Sequence, residues 1–334
     1  MVEKMSYEEF IMEWNSPSDR ILVHTSGSTG APKPICVEKR RMLASARQTC
    51  DFLGLKPGDS ALLCMSLDYI AGKMMAVRSI ERGLELCVVP ASNHPLAGLE
   101  GRSIDFVAMV PSQVYCSMAV PSERDTLRHI RHLIIGGGAI SAELQLAIDS
   151  LGSEGLIWST YGMTETLSHI AMRPLNGPDA SEWYAPLPGV GVELGSDGCL
   201  MIDAPQVCEG ILHTNDIAEL REGQFRIIGR KDNVICSGGI KLQIETIEEK
   251  LRPFITVPFC ITKRKDPKFG EAAVLLLSGE RLPQSALDDA FAHLERYERP
   301  KDVCHVECIP MTRTGKIDRA SAISLLCTCG KCRE

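Results

Sequence analysis

Short apolar runs alternate with longer amphipathic stretches through the first two thirds of the chain. The apolar runs predict buried strands at 20–24, 61–65, 85–89, 104–109, 132–135 and 155–159. The amphipathic stretches predict helices over 39–53 and 69–82, and two more that begin near 112 and 141. Strands spaced by helices are typical of parallel βαβ units with helices on the faces of the sheet. The pattern therefore predicts an α/β fold for this part.

The pattern changes after Trp183. Frequent proline and glycine residues separate short alternating strands as far as residue 228, which indicates an antiparallel, barrel-like segment. A charged turn at 229–232 then leads into a tail whose pattern predicts a compact α+β domain. The elements predicted there are helices over 243–251 and 285–297 and strands over 256–262, 272–277 and 303–307. The predicted organisation is a first domain over 1–229, a junction at 230–232 and a second domain over 233–334.

Composition leaves this fold class unchanged and excludes several functions. The 334 residues are 44% hydrophobic and 24% charged, as in ordinary globular proteins. A formal net charge of −7 argues against a broad nucleic-acid-binding face, because phosphate backbones attract basic surfaces. The least charged stretch, 106–122, is interrupted by Pro111 and Pro121, so no membrane span is predicted. With no apolar leader visible near the N-terminus, we expect a cytoplasmic protein.

The chain is rich in cysteine. Its 14 cysteines are spread mostly through apolar runs, which favours buried or free thiols over a disulfide framework. The C-terminal Cys327, Cys329 and Cys332 could complete a four-sulfur zinc site with Cys304 or Cys308. A frayed tail with free thiols is the favoured interpretation.

A loop rich in Ser, Thr and Gly directly follows the first predicted strand. Its glycines free the backbone to curl, and its hydroxyls and lysine suit phosphate oxygens, which bind converging donors and a compact cation. The predicted phosphate-binding residues are Thr25, Ser26, Gly27, Ser28, Thr29, Gly30 and Lys33. The loop is not a Walker A motif, because that lysine lies between Pro32 and Pro34. Taken alone, it also fits a polar surface turn.

Together with the segment Tyr161-Gly162-Met163-Thr164-Glu165, this loop resembles the adenylate-forming superfamily of acyl- and aryl-CoA ligases, luciferases and peptide-synthetase adenylation domains. Further matching segments follow in the family's order at 213–216, 229–232, 237–239, 266–271 and 310–319. The resemblance covers nearly the whole chain. It implies that ATP and Mg²⁺ convert a carboxylic acid into an acyl-adenylate, that a small mobile C-terminal domain then rotates, and that coenzyme A displaces AMP.

The resemblance also implies which residues bind the nucleotide. Thr164 would bond the α-phosphate and Glu165 would bind Mg²⁺, although Thr-Glu alone also fits a capped helix N-terminus. The implied adenine site is a glycine platform with an aromatic ring on the other face of the base, and it consists of Gly136, Gly137, Gly138, Tyr161 and Gly162. The glycines also fit a plain strand-to-helix turn.

The remaining ATP contacts implied by the resemblance lie later in the chain. Asp216 would bind the ribose hydroxyls with support from Arg230, and a surface turn is the alternative. Asn215 replaces the family's usual glycine, which the turn should tolerate because Asn adopts left-handed backbone readily. Lys316 would bridge the substrate carboxylate and the α-phosphate during adenylation. Without the resemblance, it is an exposed turn lysine.

A further set of implied residues concerns the second half-reaction. Asp232 would be the hinge of the rotating domain. The pantetheine channel would include Ser237, Gly238 and Gly239. A nearby basic cluster could meet the coenzyme A phosphates or form a solvated charged loop, and it consists of Lys263, Arg264, Lys265 and Lys268.

The phosphate loop begins only 25 residues into the sequence, whereas family members carry a long subdomain before it. We therefore expect an apolar face that a homodimer covers. The chain resembles the short o-succinylbenzoate–CoA ligases of bacterial menaquinone synthesis, in which Tyr69 would stack on the aryl acid and Arg78 would pair with a second carboxylate. A core aromatic and a surface arginine are the alternative.

These features favour an ATP-dependent acid–CoA ligase acting on o-succinylbenzoate. A ligase or stand-alone adenylation enzyme for another aryl, acyl or amino acid is the alternative enzyme. A non-catalytic nucleotide-binding module is the alternative from another class.

Overall fold

The computed structural model describes residues 5–24, 34–312 and 316–328. The predicted phosphate loop from Thr25 to Lys33 therefore lies outside the described residues, as do Cys329 and Cys332. The helices are α1 (Tyr7–Trp14), α2 (Lys39–Phe52), α3 (Ile70–Arg82), α4 (Pro111–Ala119), α5 (Pro121–Arg128), α6 (Ala142–Leu151), α7 (Ile244–Leu251), α8 (Gln284–Ala292) and α9 (Arg319–Thr328).

Strands make up most of the remaining regular structure. They are β1 (Arg20–His24), β2 (Pro34–Glu38), β3 (Ser60–Leu63), β4 (Glu85–Val88), β5 (Phe106–Met109), β6 (His132–Ile135), β7 (Leu156–Gly162), β8 (His169–Pro174), β9 (Ala185–Pro186), β10 (Gly191–Leu194), β11 (Cys199–Asp203), β12 (Ile211–Arg221), β13 (Gln224–Arg230), β14 (Val234–Ser237), β15 (Ile240–Gln243), β16 (Phe259–Asp266), β17 (Gly270–Ser278) and β18 (Asp302–Val306).

The central sheet has the order β4-β3-β5-β6-β7-β8-β9. Its strands are parallel from β4 to β7, which confirms the predicted α/β architecture. The sequence pattern did not predict β8, which runs antiparallel to β7, and β9 runs antiparallel to β8. A short turn joins β7 to β8, and a turn of that length can only reverse the chain, because a parallel connection needs a crossover.

The segment that holds the predicted phosphate loop is flanked by paired strands. β1 and β2 form an antiparallel pair in which His24 lies opposite Pro34. The two described residues that flank the 25–33 segment therefore lie side by side. Strand β2 was not predicted, because the loop was taken to lead directly into helix α2.

The segment after Trp183 is antiparallel, as predicted. Strands β10 to β13 pair in sequence order, β12 being the long strand that pairs with both β11 and β13. The register of β12 and β13 places Asp216 opposite Arg230. This pairing brings the predicted ribose ligand and its partner together.

The C-terminal part is α+β, as predicted. Its sheet has the order β15-β14-β17-β16, with β18 added parallel to β17. Helices α7 and α8 pack into one apolar cluster with Ile235 and Leu275, whereas α9 packs into another with Val274 and Leu276. Helix α9 continues to Thr328, where a frayed tail was predicted.

The apolar cores separate along the chain. Two clusters are built from residues between Phe10 and Phe225, and two more from residues between Ile235 and Leu326. Helix α1 contributes its buried Phe10 to the first of them. A domain boundary at 230–232 stays a prediction. In the described parts of the chain, no helix combines the length and apolar character needed to cross a membrane.

Candidate functional site

The predicted ribose ligand lies at the centre of a hydrogen-bonded group. The Asp216 carboxylate accepts from the Tyr161 hydroxyl at 2.6 Å and from Arg230 Nη1 at 3.2 Å. Its backbone N–H donates to Thr214 Oγ1 at 3.0 Å. Since a carboxylate offers about four acceptor positions, Asp216 keeps capacity for two further donors, as a ribose would supply.

Tyr161 reaches this carboxylate from the end of β7. Burial raises the pKa of its phenol well above the ordinary value, and the negative charge of Asp216 raises it further. Tyr161 therefore stays a neutral donor, and its ring packs edge-on against Phe225 with centroids 5.1 Å apart. The proposed stacking of this ring on adenine stays a prediction.

Lys316 lies in a tight turn near the same group. Its carbonyl accepts from the Thr312 N–H at 2.7 Å, and Met311 pairs with Ile317 across the turn. Lys316 is exposed as a whole residue, but protein atoms around its ammonium remove part of the water there, and this desolvation lowers the pKa of Lys316. The positive charge of Arg230 lowers that pKa further, and the negative charge of Asp216 raises it. The structure therefore brings Lys316 into the electrostatic field of the two predicted ribose-binding residues.

A pair that the sequence analysis did not single out anchors this turn. Arg319 begins α9 and donates to both oxygens of buried Glu248, at 2.6 and 2.8 Å. Glu248 also accepts from the Ile261 N–H at 2.7 Å. Because Arg319 follows Lys316 by three residues, this bidentate pair holds the base of the lysine turn.

Residues of the junction at 230–232 form hydrogen bonds with residues that precede it and with residues that follow it in the sequence. Asp232 accepts from Arg230 Nη2 at 2.8 Å and from Asn215 Nδ2 at 3.3 Å. Gln243 of β15 donates to the Arg230 carbonyl at 2.9 Å. A Cβ on Gly229 would lie 2.2 Å from the Gln243 amide nitrogen, so this approach needs glycine. Asp232 therefore lies where contacts from both parts meet, and its role as a hinge stays a prediction.

The predicted adenine platform follows β6. A Cβ on Gly136 would lie 2.5 Å from Thr160 Oγ1, and Gly137 has a positive φ of 79°. A Cβ on Gly138 would lie 3.4 Å from Pro111 Cγ. Gly162 is more tightly constrained, because its Cβ would lie 2.2 Å from the Ser168 carbonyl oxygen. The first two glycines and Gly162 are thus required by the local packing and backbone as well as suited to a flat ligand.

Thr164 and Glu165 lie in a single 3-10 turn over 164–166. Thr164 is buried, and Glu165 is exposed. Within the described residues, no hydrogen bond or ion pair engages the Glu165 carboxylate. A free carboxylate next to Thr164, the predicted α-phosphate ligand, fits Mg²⁺, which binds through one or two carboxylates plus substrate phosphates. In the part of the chain described, no cluster of three or more His, Cys, Asp or Glu could hold a metal on protein ligands alone.

The predicted acid-binding residues lie on and beside α3. Tyr69 is the residue before the helix and is half-buried. Arg78 is only 2% exposed, so the alternative of a surface arginine is wrong. It donates to Ser168 Oγ at 2.5 Å and to Met75 Sδ at 3.8 Å, while its Nε lacks a partner among the described residues. Burial lowers the pKa of Arg78 to about 10.

The predicted coenzyme A residues form a hairpin turn. Ser237 ends β14, and Gly238 and Gly239 have positive φ values of 60° and 84°, which favour glycine. Of the neighbouring basic cluster, Lys263 pairs with Glu271, and Arg264 pairs with Asp302 and Asp266. Lys265 and Lys268 are the exposed members.

Comparison with known proteins begins with a family model described as AMP-binding enzyme, which matches residues 4–210. The chain belongs to this family. The 2-succinylbenzoate–CoA ligase of Bacillus cereus strain Q1 is 26% identical to this chain. The match covers 93% of this chain and 71% of that ligase.

Two solved structures resemble the AMP-binding enzyme along most of its length. An AMP-forming acyl-CoA synthetase/AMP-acid ligase II-like protein from Dyadobacter fermentans is 35% identical, with a TM-score of 0.64 over 94% of this chain and 91% of that one. The o-succinylbenzoate coenzyme A synthetase of Bacillus subtilis, in complex with ATP and magnesium ion, is 21% identical, with a TM-score of 0.75 over 90% of this chain and 68% of that one. The AMP-binding enzyme is an AMP-forming acid–CoA ligase.

Proposed function

We propose that this ligase activates o-succinylbenzoate with ATP and transfers it to coenzyme A, as in menaquinone biosynthesis. The observation that carries the substrate assignment is the burial of Arg78 without a carboxylate partner among the described residues. A buried cation is costly unless it is paired. An acid with a second carboxylate supplies that pair when it binds.

The position of Arg78 supports this assignment. Its partner Ser168 follows Thr164 and Glu165 by only a few residues. An acid whose second carboxylate reaches Arg78 therefore has its other carboxylate near the predicted phosphate and magnesium residues. Tyr69, at the start of the same helix, offers an aromatic face to the aryl ring.

The first half-reaction uses the nucleotide site. Asp216 and Arg230 hold the ribose, the glycines at 136–138 hold adenine beside Tyr161 and Gly162, and the 25–33 loop holds phosphate. Thr164 bonds the α-phosphate, and Glu165 holds Mg²⁺, which when bound neutralises phosphate charge. The Lys316 ammonium bridges the acid carboxylate and the α-phosphate as negative charge builds there.

The second half-reaction uses rotation about Asp232. The domain over 233–334 turns relative to the domain over 1–229, withdrawing Lys316 and bringing the Ser237–Gly239 turn toward the acyl-adenylate. Coenzyme A then attacks the acyl carbon through its thiol, and AMP leaves.

The test is a comparison of two acids with purified enzyme, ATP and coenzyme A. The first is o-succinylbenzoate, and the second is 4-oxo-4-phenylbutanoate, which lacks the ring carboxylate. Mass spectrometry of the thioester should show a kcat/KM for the first acid that is roughly 10- to 100-fold higher, as expected for a charge-assisted pair.

Arg78→Met is the matched variant. It replaces an unpaired cation by an apolar side chain of similar length, so the fold should survive. We expect it to remove the preference for the dicarboxylic acid. Equal use of both acids by the unaltered enzyme, or a preference that survives Arg78→Met, would overturn the assignment, and turnover of another acid in a wider panel would replace it.

A further inference from the structure

We infer that a directional chain of hydrogen bonds through His169 and Thr49 orients Arg78 for the second carboxylate of the acid. The inference rests on the proposed substrate role of Arg78. His169 and Thr49 are positioning residues, because neither is proposed to touch the acid. They lie on β8 and α2, far apart in sequence from each other and from Arg78 on α3.

The direction of each bond follows from the number of hydrogens available. The Thr49 hydroxyl donates its one hydrogen to the Ser45 carbonyl at 3.1 Å. Toward His169 Nε2, at 3.1 Å, Thr49 Oγ1 must therefore accept. The imidazole proton is thus on Nε2, which leaves Nδ1 as an acceptor.

The other side of the imidazole continues the chain. His169 Nδ1 lies 3.4 Å from Ser168 Oγ, and that oxygen accepts from Arg78 Nη2 at 2.5 Å. The Ser168 hydrogen is therefore free to point to Nδ1 while its lone pairs face the guanidinium. The result is one unbroken sequence of donors and acceptors from Arg78 to the backbone of α2.

The imidazole must be neutral to serve both neighbours. His169 is buried, and burial lowers its pKa well below the ordinary value, with the positive charge of Arg78 acting in the same direction. A neutral ring offers one donor and one acceptor, whereas a protonated ring offers two donors. Only the neutral ring can accept a hydrogen bond from Ser168, as the proposed chain of hydrogen bonds requires.

A strained backbone turn fixes Ser168 in the chain of hydrogen bonds. Leu167 has a φ of 64°, and the Ser168 N–H donates to the Thr166 carbonyl at 2.7 Å across it. Such a tight turn is rare outside functional sites. Buried Thr166 stabilises it by accepting from the Met163 N–H at 3.0 Å. The strain is maintained in the segment that aims Ser168 at Arg78.

The test compares His169→Leu with His169→Gln. Leucine has no polar atom and interrupts the chain of hydrogen bonds. We expect His169→Leu to lower the preference for o-succinylbenzoate over 4-oxo-4-phenylbutanoate roughly tenfold through a higher KM for the dicarboxylic acid. The KM for ATP and the turnover of 4-oxo-4-phenylbutanoate should stay unchanged. Glutamine offers both a donor and an acceptor and should restore part of the preference.

Thr49→Val should act in the same direction with a smaller effect, and Thr262→Val is its matched control, a buried threonine on β16. His169→Leu leaves the Thr49 hydroxyl without its histidine partner, which could prevent folding. The double variant Thr49→Val/His169→Leu removes that hydroxyl as well, and its preference between the two acids is then measured in the same way. Retention of the full preference in these variants would overturn the inference.

Nitrogen NMR of the unliganded enzyme gives a readout that needs no substrate. We expect His169 to be neutral at pH 7 with its proton on Nε2. A proton on Nδ1, or a charged ring, would refute the chain even if o-succinylbenzoate is the substrate. Conversely, an enzyme that shows this tautomer but no preference between the two acids would refute the proposed substrate, while the hydrogen bonds through His169 and Thr49 would stand.

Discussion

Two arginines in this ligase, Arg319 and Arg78, differ in the partners that the fold gives them. Arg319 has both oxygens of Glu248 and the Ile261 carbonyl within hydrogen-bond distance. Arg78, which is more deeply buried, has a serine hydroxyl and a thioether. A buried charge normally has its counter-charge within the fold, as buried Glu248 does in Arg319. For Arg78, the proposed function supplies the counter-charge from the second carboxylate of the acid.

Arg319→Met tests the structural role. The change leaves the Glu248 carboxylate buried without its cation, and we expect a loss of about 3 kcal/mol in the free energy of unfolding. Urea titration followed by circular dichroism measures this loss. Because the pair anchors the Lys316 turn, ATP–pyrophosphate exchange should also fall.

The controls separate burial of charge from loss of a side chain. Arg296 is exposed, and Arg296→Met should change stability by less than about 0.5 kcal/mol. Glu248→Gln/Arg319→Met should be less damaging than Arg319→Met alone, since no unpaired charge remains. A stability for Arg319→Met equal to that of Arg296→Met would contradict the anchoring role.

At the scale of elements, the amphipathic helices were the most predictable part of the fold. The pattern placed α2 at 39–53 and the structure has Lys39–Phe52, because Met42, Ala46 and Cys50 recur at helical spacing on its buried face. Strand β2 was hidden by the polar loop before it, since only Ile35 and Val37 mark its alternation. Strand β8 follows a short turn instead of a helix, so a rule based on βαβ units missed it.

The site was predictable only where residues form a motif within a few positions. Tyr161, Asp216 and Arg230 were each found this way, and the structure brings them together. No spacing links Thr49, Arg78 and His169, because their contact arises from packing α2, α3 and β8 against one another. The burial of Arg78 was likewise invisible in a sequence pattern that also fits a surface arginine.

The junction offers a prediction about one element. Asn215 of β12, which replaces the family's usual glycine, holds Asp232 at 3.3 Å. Asn215→Ala removes this bond, and we expect faster proteolytic cleavage near 230–233, by roughly 2- to 5-fold, for the loss of one exposed hydrogen bond. Asn215→Asp should accelerate cleavage further because it repels Asp232. Equal cleavage rates for all three proteins would show that this bond does not restrain the junction.

At the scale of the whole molecule, residues from distant parts of the sequence lie close to Lys316. Lys316 is carried by the C-terminal part and Asp216 by the earlier antiparallel sheet, yet the pKa of Lys316 responds to both Asp216 and Arg230. Charges influence one another in this way only at short range. The described chain therefore brings Lys316 close to Asp216 and Arg230, as the proposed adenylation step requires. The homodimer expected from the sequence stays a prediction.

Lys316→Ala tests whether the two half-reactions use different arrangements. In the proposed mechanism the ammonium stabilises charge at the α-phosphate only while the acyl-adenylate forms, so we expect ATP–pyrophosphate exchange to fall by on the order of 100-fold. Attack of coenzyme A on a supplied acyl-adenylate should change far less, because the proposed rotation withdraws Lys316 before that step. Lys265→Ala, an exposed lysine of the same domain, should leave pyrophosphate exchange unchanged. A loss in Lys316→Ala that is equal in both half-reactions would mean that the lysine stays at the site throughout, and rotation about Asp232 would lose its purpose.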